Sequence, residues 1–135
     1  MGVRGKSPWT GRHPSTSMQL FDTTQNGLER ALSGAALRQT AIAANLANIN
    51  TPGYRRQDVD FQSALRQAFA EGPDAVDGVQ PAIQVDMSSQ VRADGSSVDV
   101  DTETAAEAKN GLAYEAISTV LKTRNDILQI AMGVK

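Results

Sequence analysis

Apolar residues recur through the first third of the chain at alternating spacings of four and three: Leu28, Leu32, Ala35, then Ile42, Leu46 and Ile49. Only Gln39 interrupts the series, which extends backwards through Gln25 to Phe21. A repeat of about 3.5 residues predicts a helix that packs along its whole length against other helices. Asp22, with Gln25 three residues on, supplies a capping box at its start, and the helix is expected to run to about Ile49. Pro52 then forbids continuation, since it has no N–H to donate and disfavours the helical conformation at Thr51. Gly53 can take the positive φ that the third position of a type II turn requires. Gly27 and Gly34 each cost a helix interior about 1 kcal/mol relative to alanine, so this helix leans on tertiary or quaternary packing.

The last third is helical again, capped by Asp101 or by the Thr104-Ala105-Ala106-Glu107 box. Its apolar residues form two adjacent columns, Tyr114, Leu121 and Leu128 in one and Ala113, Val120, Ile127 and Val134 in the other, with Ile117 and Ala131 between them. That stripe is wider than a two-stranded seam needs, so neighbouring subunits are expected to cover the remainder. Gly133 sits where a C-terminal cap belongs. The fold predicted is mainly α: two long N- and C-terminal helices forming an antiparallel, coiled-coil-like hairpin, joined through an irregular middle segment.

In that middle segment, residues 55–60 read as extended, and Asp60 can cap a short helix with the apolar face Phe61, Leu65, Ala68 and Phe69. From Glu71 to Asp101 the periodicity fades among Gly72-Pro73, Gly78, Pro81 and Asp94-Gly95. Weak alternation at Ile83, Val85 and Met87, with Val98 and Val100 beyond Asp94-Gly95, leaves room for a small β-hairpin there. The chain thus divides into a basic tail at 1–17, a helix and turn at 18–53, an irregular linker at 54–101 and a C-terminal helix at 102–135 packing on the first.

Composition narrows the function. The 135 residues are 40% hydrophobic but only 4% aromatic, with 13 basic and 15 acidic side chains giving a net charge of −2, so nothing in the balance points to nucleic acid. Cysteine is absent, which removes disulfides, thiol nucleophiles and cysteine metal sites together. No apolar run approaches the roughly 18 residues that span a bilayer. The tail carries Arg4, Lys6 and Arg12 with no acidic residue, and its composition predicts disorder. No apolar segment follows those charges, so a cleavable secretory signal is not expected.

Candidate chemistry is sparse. The single histidine, His13, lies in the tail. Asp58/Asp60 and Asp99/Asp101 are carboxylate pairs two apart, but no base, nucleophile or third ligand lies near them in sequence, so solvation and helix capping account for them. Aligning Gly95 with the glycine of a calcium loop puts Gln90 and Arg92 where ligands belong, and the match fails. Arg55-Arg56 beside Tyr54 is a small basic patch that Asp58 and Asp60 offset. No catalytic, cofactor-binding or metal residue is assigned. Asn45 and Asn48 are more specific: near a helix end, their amides either cap orphan carbonyls or fix the register of the helix against partners.

Ala44-Asn45-Leu46-Ala47-Asn48-Ile49-Asn50-Thr51-Pro52-Gly53-Tyr54 resembles, without a mismatch, the motif Ala-Asn-x-Ala-Asn-x-x-Thr-Pro-Gly-Tyr of the bacterial flagellar rod and hook family. The chain is short for the hook and distal-rod members, which have large inserted domains. Residues 56–61, and 98–103 leading into 108–114, resemble the proximal-rod branch, with a sister proximal-rod branch as the alternative. The resemblance runs from about Met18 to Met132; Thr104 and Gly111 depart from it. It implies a structural, non-enzymatic subunit of the periplasmic rod, needing no cofactor and exported by the flagellar type III apparatus without a cleaved signal. Its implied partners are copies of itself, other rod proteins, and basal-body adaptor and export-gate proteins, with no nucleic acid and no direct membrane span. The assembly motif would be Asn45, Asn48, Thr51, Pro52, Gly53 and Tyr54. The helix-packing seam is Leu28, Leu32, Ile42, Leu46, Ile49, Tyr114, Ile117, Leu121 and Leu128. A cytoplasmic coiled-coil adaptor or chaperone would share the heptads but has no need of the Thr-Pro-Gly-Tyr terminus.

Overall fold

The computed structural model describes residues 16–133, with side chains from Asp22 onward. Most of the basic tail, His13 included, and the side chains of Phe21 and Val134 lie outside the described residues. Helix α1 spans Thr16–Ala47 and helix α4 spans Val100–Ala131, each 32 residues long, or about 48 Å at 1.5 Å per residue. Between them come β1 (Gln57–Asp58), α2 (Phe61–Glu71), α3 (Pro73–Asp77) and β2 (Gln84–Val85).

The two long helices pack antiparallel. Asn45 bonds Glu103 at 3.0 Å, Gln39 bonds Glu107 at 3.1 Å, and Asn110 donates to the Ala35 carbonyl at 2.9 Å. Partners thus descend along α1 as they ascend along α4. Three boundaries differ from the sequence reading. Helix α1 begins at Thr16, and Asp22 lies inside it: no breaker separates the two, so a capping residue within a helix-compatible stretch starts nothing. It ends at Ala47, before Ile49, because the Asn48 amide N–H reaches both the Ala44 and Asn45 carbonyls at 3.1 Å and Ile49 bonds Leu46, tightening the last turn. At α4 the cap is Asp99, neither Asp101 nor the Thr104 box. Its extended backbone lets Oδ1 accept from the Thr102 N–H at 2.8 Å, while Asp101 and Glu103 stand in the first turn.

The Thr51-Pro52-Gly53-Tyr54 turn forms as expected, with Tyr54 N–H bonded to the Thr51 carbonyl at 3.2 Å and Gly53 at φ +74°. Gly133, at φ +71°, follows the end of α4 and donates to the Ile130 carbonyl. Asp60 caps α2 through the Ser63 N–H at 3.2 Å.

Helix α2 explains the two glycines of α1. A Cβ on Gly34 would lie 2.3 Å from the Phe61 ring, and one on Gly27 would lie 2.3 Å from the tip of Phe69. Each aromatic therefore rests directly on the α1 backbone. Phe61 joins Ala35, Ala41, Val59 and Leu65 in the core, with Ala31, Leu37 and Val79 against it. Arg38 covers Phe61 from outside, its guanidinium 4.8 Å above the ring centroid, and donates to the Val59 carbonyl.

The small sheet exists, but not across Asp94-Gly95. Gln57 pairs with Val85 and Asp58 with Gln84, antiparallel. Residues 92–96 do form a tight turn, with Gly95 at φ +81° and Arg92 and Ser96 bonded at 2.7 Å. Beyond it the chain runs against the segment after the Pro-Gly turn, with Ser97 N–H on the Tyr54 carbonyl and Gly53 N–H on the Asp94 carbonyl. Successive residues of this segment take different partners: Gly53 and Tyr54 bond 94–97, Arg56 bonds Ser97 Oγ and the Asp86 N–H, and both backbone groups of Gln57 bond the Asn45 side chain. Helix α3, opened by Pro73 at its first position, is absent from the hydrophobic periodicity because five residues are too few to show any.

Candidate functional site

Where Asn45, near the end of α1, meets α4, the seam is polar. Asn45 is fully buried. Its amide donates to the Gln57 carbonyl at 2.8 Å and to Glu103 at 3.0 Å, and its oxygen accepts from the Gln57 N–H at 2.9 Å. It thereby clamps α1 to β1 and α4 at once. Asn48 acts on its own helix: its amide caps the Ala44 carbonyl at 2.9 Å and its oxygen accepts from the Thr51 hydroxyl. Thr51, Pro52 and Gly53 are exposed and Tyr54 is half-buried.

Glu103, also fully buried, accepts from the Arg56 Nε as well as from Asn45. Arg56 extends the network to Asp86 at 2.8 Å and Asp58 at 3.3 Å, and its own N–H bonds Ser97 Oγ. Burial opposes the Arg56 charge, but Glu103, Asp86 and Asp58 outweigh it and raise its pKa above the ordinary guanidinium value. Hydrogen bonds from Ser88 and Ser89, helped by Arg56, hold the Asp86 carboxyl well below the usual carboxylate range. The basic patch read at Arg55-Arg56 is therefore half occupied: Arg56 is enclosed by three carboxylates. The aspartate pairs are likewise engaged, Asp58 with Arg38 and Arg56, Asp60 and Asp99 as helix caps. Among the described residues no group of three or more histidine, cysteine or acidic side chains is placed to hold a metal, and no helix is long and apolar enough to cross a membrane.

Two turns further along, Asn110 donates to the Ala35 carbonyl and to Gln39 Oε1 at 3.0 Å. Gln39, the interruption in the heptad series, is thus matched by a second polar residue across the seam. Glu103 and Asn110, seven apart in the column that continues to Ile117, are the buried positions of α4 that hydropathy missed. Their spacing was the available signal.

Of the apolar seam residues, Ile42 is buried, and Leu28, Leu32, Leu46, Ile49, Ile117 and Leu121 are partly buried. Tyr114 and Leu128 stand at the margin, 42% and 47% exposed: one partner helix covers one side of α4, and these residues lie where its cover ends. Leu112, Val120, Ile127 and Ile130 are also exposed, so α4 carries apolar surface on more than one flank.

Residues 26–55 match the family model described as flagella basal body rod protein. The chain is 34% identical to the flagellar basal body rod protein FlgB of Escherichia coli over 123 residues, 75% of this chain and 89% of the relative. It is also 34% identical to the FlgB of Salmonella typhimurium over 111 residues (69% and 80%) and to that of Bacillus subtilis over 112 residues (74% and 85%). With a match of this length and identity on top of the motif and the helix pair it closes, the chain belongs to the flagellar basal body rod protein FlgB family.

Proposed function

We propose that this chain is a structural subunit of the proximal rod of the bacterial flagellar basal body, one of the pieces that connect the motor to the hook and carry torque. It sits in the periplasmic rod, is exported by the flagellar type III apparatus without a cleaved signal, and assembles with copies of itself and with other rod, adaptor and export-gate proteins. The observation that carries the reading is the apolar surface left on α4 after it has paired with α1, with Ile127 59% exposed on a helix already packed elsewhere. Burying such flanks between many subunits spreads load over shallow, repeated helix contacts. The polar clamp of Asn45, Glu103 and Arg56 supports it by fixing each helix pair in one register, so that every subunit offers neighbours the same surface.

The test is fractionation of cells making a tagged full-length chain. Recovery with purified basal bodies supports the rod role; recovery in the cytosol alone overturns it.

A further inference from the structure

Thr51, Pro52 and Gly53 face solvent, and a Cβ built on Gly53 would meet nothing within 4 Å, so the front of this turn is open. Behind it stands a second turn. The Gly53 N–H donates to the Asp94 carbonyl at 2.9 Å, and a Cβ on Gly95 would lie 3.3 Å from Gly53 Cα. The two turns therefore touch backbone to backbone. Gly95 also sits at φ +81°, where an L side chain is strained. Glycine is the residue that meets both demands.

Arg92 ties the pair of turns to the end of α1. Its Nη2 donates to Asp94 Oδ2 at 2.8 Å and to the Ile49 carbonyl, just past α1, at 3.4 Å. Its Nη1 donates to the Val98 carbonyl at 3.4 Å. On its other oxygen Asp94 accepts from the Ser96 N–H at 3.0 Å, and the Gly95 N–H donates to the Arg92 carbonyl at 2.9 Å. One guanidinium thus joins the helix end, the second turn and the approach to α4. Yet the Arg92 and Asp94 side chains are 47% and 38% exposed, and ion pairs this open to water add little to folding stability. Such a brace fixes the direction of an exposed turn without holding the fold together. That is what a surface needs when it meets something outside its own chain, because a turn ordered beforehand loses less entropy on docking.

We propose that Arg92 and Gly95 are positioning residues for the Thr51-Pro52-Gly53 turn, which they hold in the attitude at which it docks on a neighbouring rod subunit. The inference rests on the rod reading and gives the middle segment a part in assembly.

The test sets incorporation into basal bodies, in competition with the unmodified full-length chain, beside the melting temperature of each variant. Freeing the backbone of even one residue changes an equilibrium about tenfold. Arg92→Ala should therefore lower incorporation at least about tenfold, while its melting temperature falls by no more than about 4 °C. Arg92→Lys, which keeps the charge, should recover part of the loss. Arg30→Ala removes an arginine that also bonds a backbone carbonyl, that of Asp77 at 2.9 Å beside α3, and should incorporate normally. Gly95→Ala and Gly72→Ala both force alanine to positive φ, but only at Gly95 does the Cβ meet the motif turn. The first should incorporate poorly and the second normally, although both lose melting temperature. Normal incorporation of Arg92→Ala, or losses that track melting temperature across these variants, would overturn the proposal.

Amide exchange reads the brace without assembly. Arg92→Ala should speed exchange of the Gly53 N–H at least about tenfold and leave unchanged the Gln57 N–H, which Asn45 holds. An unchanged Gly53 rate overturns the positioning role. If the unmodified chain enters basal bodies while these results fail, only the positioning role is wrong; if it is missing from them, the rod reading falls first.

Discussion

Gly27 and Gly34 present the same close approach and should respond differently to the same methyl group. An alanine Cβ at Gly34 would lie 2.3 Å from Phe61 Cγ and 2.7 Å from both Cδ atoms. Cγ is the ring atom nearest the backbone, so rotating the ring about its own axis relieves nothing. Phe61 is 3% exposed and packed in the core with Ala35, Val59 and Leu65 under the Arg38 guanidinium. Relief requires sliding α2 off α1. At Gly27 the first clash is with Phe69 Cζ, the far tip of a ring that is 50% exposed, and a swing about χ1 clears it. Both substitutions gain about 1 kcal/mol of helix propensity. Overpacking a closed core costs about 1–3 kcal/mol, and losing the burial of a core phenylalanine costs up to about 3–5 kcal/mol. Gly34→Ala should therefore be net destabilising by about 2 kcal/mol, and Gly27→Ala should stay within about 1 kcal/mol of the unmodified chain. For a domain of this size the first corresponds to a fall in melting temperature of about 8 °C. Thermal and urea unfolding followed by far-UV circular dichroism read the difference directly. Gly34→Ala melting at or above Gly27→Ala would refute the packing of Phe61 on α1.

Three further outcomes are expected. Glu103→Leu strands Arg56 with only Asp58 and Asp86 and should cost about 3 kcal/mol, at the low end for breaking a buried pair, while adding Arg56→Met should restore more than half of it; additive losses in urea unfolding would contradict the network. Asp86 has a lowered pKa in the fold, so its contribution is complete above the ordinary carboxylate range near about 4 and is lost as pH falls below that range through the lowered value. Asp86→Asn should thus destabilise the chain at pH 7 by an amount that vanishes in strong acid, and a pH-independent difference would reverse the assignment. Replacing Leu46 and Ile49 together by aspartate puts two charges into partly buried seam positions and should abolish motility through failed assembly; swimming cells with complete basal bodies would show the seam to be misplaced.

Much of the architecture was legible because it depends on near neighbours. A helix declares itself through contacts three and four residues apart, and Pro52 and Gly53 end one for steric reasons that operate within the dipeptide. The same locality made Asp60, Gly133 and the apolar face of α2 readable, and it identified the Thr-Pro-Gly-Tyr motif from its residues alone. Capping rules misplaced two helix starts: Asp22 lies inside α1, and Asp99 rather than Asp101 or the Thr104 box caps α4.

The content of the seam was decided by tertiary structure alone. Gln39 interrupted the hydrophobic repeat, and Glu103 and Asn110 fell outside the apolar columns of α4, because hydropathy scores a side chain without knowing what will face it. Asn45 finds Glu103 at a separation of 58 residues, and Arg56 finds Glu103 at 47. Only when three segments meet does the buried Glu103 carboxylate find the Asn45 and Arg56 partners that offset its loss of water. The strand pairing of Gln57-Asp58 with Gln84-Val85 followed the same logic, since two-residue strands carry no periodicity and take whichever edge the packed helices leave open. What near neighbours govern was written in the chain; what distant residues must supply to one another appeared only with the fold.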